Sequence, residues 1–195
     1  MALIEGAFRL LDGNKSFDGL SQRELTREVG IVPTAFYRHF ETMEALGPAL
    51  VDEAFRGLRK IIHDVRTDVR SSNRPVSTVV RSLLQHIRND RSRFRFIASE
   101  RFGGSGPVRD AIRREMRLIQ GELAIELARF PYLKEWSAAD LNMVAGLMFN
   151  SMVSIAEDIL DRSPADRNAE KDLMELAEKQ LRLIALGIPN WKSAP

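Results

Sequence analysis

The sequence predicts an all-α chain, an N-terminal three-helix helix-turn-helix unit followed by a larger helical domain. Three observations carry this. Apolar residues recur at helical spacing, as in Leu3, Ala7, Leu10 and Leu11. The stretch Leu20 to Phe40 reads as helix, glycine-containing turn and short helix. Two long apolar-striped segments close the chain, about Ala138–Leu160 and Asp166–Leu186.

Taken in order, the first helix runs from about Ala2 to Leu11. Gly13 and Asn14 end it, and Phe17 and Leu20 anchor the loop that follows. The second opens with a capping box, in which the Ser21 hydroxyl accepts from the Glu24 amide and the Glu24 side chain reaches back to the Ser21 amide. Leu20 and Leu25 stand where a hydrophobic staple would. Leu25 and Val29 face inward, and Gly30 offers a left-handed exit. Pro33 starts the third helix, since its missing N–H and fixed φ suit a first helical position. Phe36 and Phe40, four apart, should pack on the first two helices. Thr34, Ala35, Arg38 and His39 are left on the other side, with Tyr37 at its margin.

That outer face is where chemistry is expected. In a helix-turn-helix the second helix of the pair enters the DNA major groove. Thr34 and Ala35 are short enough to let the backbone approach, and Arg38 can donate two hydrogen bonds to guanine. Tyr37 and His39 are placed for phosphates, and Ser21 and Arg23 at the start of the second helix join them. The other reading of the same residues is a buried helix pair that Tyr37 and His39 merely cap.

A long helix is expected from Met43 to about Val69, with Leu46, Leu50, Phe55, Leu58, Ile62 and Val65 on one face. Its first turn belongs to the N-terminal unit and its far end to the next domain, so the domains are expected at 1–45 and 46–195. Ser71-Ser72-Asn73-Arg74-Pro75 breaks the chain before a helix over about Val76–Arg88. The short piece Arg93-Phe94-Arg95-Phe96-Ile97 leads into Glu100-Arg101-Phe102. Gly103-Gly104-Ser105-Gly106 is then an interhelical loop, because no GxxxxGK[ST] makes it a phosphate loop. Pro107 starts a helix to about Ala128, and Pro131 separates it from the last two.

Composition removes several classes of function. With no cysteine there are no disulfides, thiol catalysis or Cys-ligated metal, and a reducing cytoplasm is the expected location. No run of eighteen apolar residues is present, so no membrane span is expected. The three histidines, His39, His63 and His86, lie on separate helices without HExxH or GxSxG. Neither an enzyme nor a metal or other cofactor is expected. The net charge of +2 is unevenly spread, with five Lys/Arg against seven Asp/Glu in residues 1–50 and sixteen against six in residues 56–117. The positive charge thus lies outside the helix-turn-helix unit expected to read DNA.

Gly30-Ile31-Val32-Pro33-Thr34-Ala35-Phe36-Tyr37-Arg38-His39-Phe40, followed by Leu46, resembles the signature of the tetracycline-repressor (TetR) family. The resemblance covers about residues 2–55. It implies an all-α homodimer with an N-terminal DNA-binding domain and a C-terminal domain that senses a ligand and dimerises. Three departures stand out. Val32 replaces the usual Ser or Thr cap, Met43 replaces a phosphate-binding Lys, and the customary basic arm before the first helix is missing. The expectation is either weaker phosphate binding than usual or a natural chain with a longer, basic N-terminal arm. The resemblance also implies a palindromic double-stranded operator and self-association through the last two helices. Periodicity alone allows those stripes to face either a second subunit or the chain's own core.

The effector is expected among Phe94, Ile97, Arg101, Phe102, Met116, Ile119, Met148, Phe149 and Met152, since Met and Phe side chains adapt around apolar ligands between helices. An arginine-bordered apolar site would suit an amphipathic anion such as a long-chain acyl-CoA. A narrower resemblance points the same way. Pro33 to Phe40, Glu44-Ala45-Leu46-Gly47, Val51-Asp52-Glu53 and the run Phe94 to Met116 are similar to the FabR-like and DesT-like repressors of unsaturated fatty acid synthesis. Two alternatives remain, a TetR-like regulator of an unrelated hydrophobic compound and a helical protein–protein adaptor without DNA binding.

Overall fold

The computed structural model describes residues 2–12, 15–71, 75–163 and 165–193, the side chains of 60–71 and 75 apart. Among the described residues the chain is all helical, without a strand. Its α-helices are α1 (Ala2–Leu11), α2 (Gln22–Val29), α3 (Pro33–Phe36), α4 (Met43–Ser71), α5 (Pro75–Asn89), α6 (Arg91–Gly103), α7 (Gly106–Leu127), α8 (Ala138–Asp161) and α9 (Arg167–Gly187). Gly13 and Asn14, Ser72 to Arg74, and the Ile62 and Val65 side chains of the expected α4 stripe lie outside the described residues. The helices divide between two compact units, Met1–Lys60 with Asn89–Glu115, and Ile61–Arg88 with Met116–Pro195.

In the first unit, Leu3, Ala7 and Leu11 of α1 are buried as their spacing predicts, and Phe8 joins them. Gly6 lets α2 lie close, since a Cβ there would stand 2.5 Å from Val29 Cγ2. The capping box of α2 forms: the Glu24 amide donates to Ser21 Oγ (3.3 Å) and the Ser21 amide to Glu24 Oε2 (3.1 Å). Gly30 ends α2 at φ 74°, a left-handed conformation that costs a residue with a Cβ about 1–2 kcal/mol. Thr42 begins α4, its hydroxyl accepting from the Ala45 amide at 3.1 Å. Leu46, Leu50, Val51 and Phe55 are then fully buried, each large side chain contributing roughly 1.5–3 kcal/mol. From the far part of the chain, α6 brings Phe96 edge-on to Phe8, with ring centroids 5.7 Å apart, and α7 buries Val108 and Ile112.

The second unit has its own core of Ala124, Leu127, Leu133, Leu141, Val144, Ala145 and Ile188. Ser137 caps α8 by accepting from the Asp140 amide, and Asp166 caps α9 by accepting from the Ala169 amide. Leu141, Val144, Ile155 and Ile159 of α8 and Leu173, Ala177 and Leu181 of α9 point inward. Both helices carry a second apolar face. Met143 and Leu147 on α8, and Leu176, Leu183 and Leu186 on α9, are exposed, with Leu183 at 73%. By length and composition alone α8 could cross a membrane. It nevertheless carries Asp140, Glu157 and Asp158 and packs on α9, where the Ser151 hydroxyl donates to Gln180 at 2.6 Å.

Candidate nucleic-acid interface

The candidate reading head, α2 and α3, is built around Phe36. Its ring is fully buried, 5.8 Å from Phe40 and 5.7 Å from Tyr37 between centroids. That anchorage leaves Thr34, Tyr37, Arg38 and His39 exposed and Ala35 half-buried. The helix itself is shorter than the sequence suggests. α3 ends at Phe36, and residues 37–39 form a turn in which the Arg38 amide donates to Ala35 and the His39 amide to Phe36, both three residues back. Such tightening satisfies the carbonyls at the end of a one-turn helix. Val32 supplies no side-chain cap; its carbonyl instead accepts from the Ala35 amide at 2.9 Å.

Gln22 joins the two helices, and sequence reasoning missed it. Its Nε2 donates to the Pro33 carbonyl (3.0 Å), and its Oε1 accepts from the Tyr37 hydroxyl (3.3 Å). The first position of a capped helix, facing a proline that cannot donate, was the available signal. The Ser21 hydroxyl is engaged inside the head, donating to Glu24 Oε2 at 2.8 Å, while Arg23 is exposed.

Four acids of the first unit, Glu5, Asp12, Glu24 and Glu28, have cations beside them. Lys15, donating to both oxygens of Glu24 at 2.7 Å, and then Ser21 lower that carboxyl from 4.5 to about 2. Glu28 pairs with Arg9 at 2.7 Å, Glu5 with Arg93, and Asp12 with Arg95 at 3.3 Å. The Arg93 guanidinium also lies 4.8 Å from the centre of the Phe8 ring. Part of the arginine excess expected near an effector thus answers the head's negative balance. More of it is paired elsewhere, Arg59 with Glu115 in the first unit and Arg88 with Glu170 in the second.

The effector candidates fall into two groups. Phe94, Ile97, Arg101 and Phe102 belong to the first unit, where Phe94 and Ile97 are half-buried. Phe102 is 73% exposed beneath the Arg101 guanidinium, which lies 4.3 Å from its ring centre. Met116, Ile119, Met148, Phe149 and Met152 belong to the second unit. Ile119 is fully buried, and Met148 packs against the core formed by α7, α8, Leu133 and Ile188. Met143 and Leu147 lie on the exposed side of α8. Among the described residues no cluster of His, Cys, Asp or Glu could hold a metal ion.

A family model described as "Tetracyclin repressor-like, C-terminal domain" matches residues 73–187. The chain belongs to the TetR family. Regulators of this family bind operator DNA, dimerise and take small-molecule ligands, so this TetR-family chain is a transcriptional regulator and not an enzyme. Solved structures share the fold over nearly the whole chain. A candidate TetR-family transcriptional regulator from Mesorhizobium loti superimposes with a TM-score of 0.72 at 16% identity, covering 95% of this chain and 94% of that one. The transcriptional regulator FadR from Bacillus subtilis, in complex with stearoyl-CoA, gives 0.71 at 14% identity, with 96% and 98% covered. A candidate fatty acid metabolism regulator from Clostridium perfringens gives 0.68 at 17% identity, with 93% and 97% covered.

Proposed function

We propose that this TetR-family regulator is a homodimeric, cytoplasmic repressor whose affinity for a palindromic operator is set by a hydrophobic or amphipathic small molecule. The observation that carries the DNA side is the exposed set Thr34, Tyr37, Arg38 and His39 around a buried Phe36, braced to α2 through Gln22. Residues 1–45 are the reading module and 46–195 the effector and dimerisation domain. Arg38 reads a base edge, Thr34 and Ala35 allow close approach, and Tyr37, His39, Ser21 and Arg23 meet the backbone. The second apolar faces of α8 and α9 meet their copies across a two-fold axis.

For the effector we propose a long-chain acyl-CoA, in control of fatty acid synthesis as in FabR-like and DesT-like repressors. Support comes from the adaptable Met116, Met148 and Met152 with Phe149, and from the stearoyl-CoA held by the Bacillus subtilis protein of the same fold. Ile119 and the α6 residues Phe94, Ile97, Arg101 and Phe102 are further contact candidates. The test is fluorescence anisotropy on a duplex selected from a random pool, with and without micromolar oleoyl-CoA or palmitoyl-CoA. A shift in affinity with either is expected. Identical curves would remove acyl-CoA and leave a regulator of another hydrophobic compound.

A further inference from the structure

Glu100 is the only acid of α6, and it is 1% exposed. Its Oε1 accepts from the Phe17 amide at 2.8 Å, whereas Oε2 is buried without a hydrogen-bond partner. Burial pushes the carboxyl above its usual range. The Phe17 amide opposes that shift, and the neighbouring Asp18 charge adds to it. Burying a carboxyl with one oxygen unmet is unfavourable, and packing alone would be served better by Leu.

The placement suggests what the carboxyl does. Phe17 opens a one-turn 3-10 segment, Phe17–Gly19, whose N-cap residue Ser16 makes no side-chain cap, so Glu100 fills that role from another helix. Three residues on, Leu20 is buried and Ser21 caps α2. Gln22 then holds Pro33 and Tyr37. The Phe17 ring faces the start of α4, where a Cβ on Gly47 would come within 3.0 Å of it. The carboxyl is confined from behind as well. A Cβ on Gly104, which ends α6, would stand 2.5 Å from Oε2 and 2.7 Å from the Glu100 carbonyl oxygen.

We infer that Glu100 is a positioning residue for DNA binding, a buried carboxyl on α6 that holds the Phe17 amide and so sets how α2 and α3 are presented. The inference rests on the DNA-reading role proposed above. It treats the carboxyl as an acceptor at a fixed place rather than as a charge, so an uncharged acceptor of the same shape must replace it.

The test uses the full-length chain, a duplex selected from a random pool and a scrambled duplex. Glu100→Leu should weaken binding to the selected duplex about tenfold or more, because it orphans a buried amide donor. Binding to the scrambled duplex should change less than about twofold, since non-specific affinity depends on charge rather than on head geometry. Glu100→Gln should restore specific binding to within about threefold of wild type. Hydrogen exchange at Phe17–Leu20 should rise in the Leu variant and not in the Gln variant. If Glu100→Leu does not fold, Gly104→Ala, which displaces the carboxyl without removing it, should show the same selective loss. The inference is overturned if Glu100→Leu keeps wild-type specific affinity, or if both affinities fall in parallel with the melting temperature. A wild-type chain that selects no duplex overturns the DNA-reading role, and this inference with it.

Discussion

At the scale of single residues, the head reconciles a negative formal balance with the DNA-facing surface proposed for it. Glu5, Asp12, Glu24 and Glu28 each have a cation beside them, two of these cations arriving from α6. Arg38 and Arg23 stay exposed. Replacing Arg38 with Ala should reduce specific affinity by about 1–3 kcal/mol, roughly fivefold to 150-fold, without changing the melting temperature. Equal affinity for selected and altered duplexes in that variant would show that a base contact was lost. Glu24 gives a pH prediction. Its carboxyl is depressed from 4.5 to about 2 in the fold, so its contribution is complete above pH 4.5 and disappears as the pH falls through about 2. The melting temperature of wild type should therefore approach that of Glu24→Gln across this window, and a constant gap would count against the pairing with Lys15.

At the scale of elements, local chemistry made some features legible and distance hid others. The Ser21–Glu24 box, the Gly30 exit and the Pro33 start each depend on neighbours within four residues, and all three form. The central burial of Phe8 and Gly47 was not legible, because their partners Phe96 and Val108 lie far along the chain. The same reason hid the pairing of Arg93 with Glu5 and of Arg95 with Asp12, which a charge count could only report as an excess. The break after Phe36 was hidden too, since Tyr37 to Phe40 continue a helical apolar spacing although the backbone has left the helix. Gly47 makes this testable. A Cβ there would meet Val108 Cγ2 at 2.5 Å, so Gly47→Ala should destabilise by about 1–3 kcal/mol through overpacking. Gly57 in the same helix has nothing nearer than Asp90 Oδ2 at 3.9 Å, and Gly57→Ala should stabilise by about 0.5–1 kcal/mol. Urea unfolding of the two variants separates a glycine needed for packing from one that is not.

At the scale of the whole molecule, the sequence left two partners open for the stripes of α8 and α9. The structure divides the residues between two faces. Leu141, Val144, Leu173 and Leu181 fill the unit's own core, while Leu147, Leu176, Leu183 and Leu186 remain outside. Glutamates at Leu176 and Leu183 together should yield monomers in sedimentation without loss of helix content. Operator affinity should then fall on the order of a hundredfold, since two tethered heads bind a two-fold site far more tightly than one. Monomers with undiminished affinity would exclude the paired-head reading.

The completion of the first unit by residues 89–115 bears on how such a regulator can acquire new targets. Phe96 packs against Phe8, Glu100 holds the Phe17 amide, and Val108 faces Gly47. An N-terminal segment exchanged by recombination would thus arrive without the α6 and α7 surface that it packs against. A change of DNA specificity by such exchange should therefore need compensating change in α6 and the start of α7.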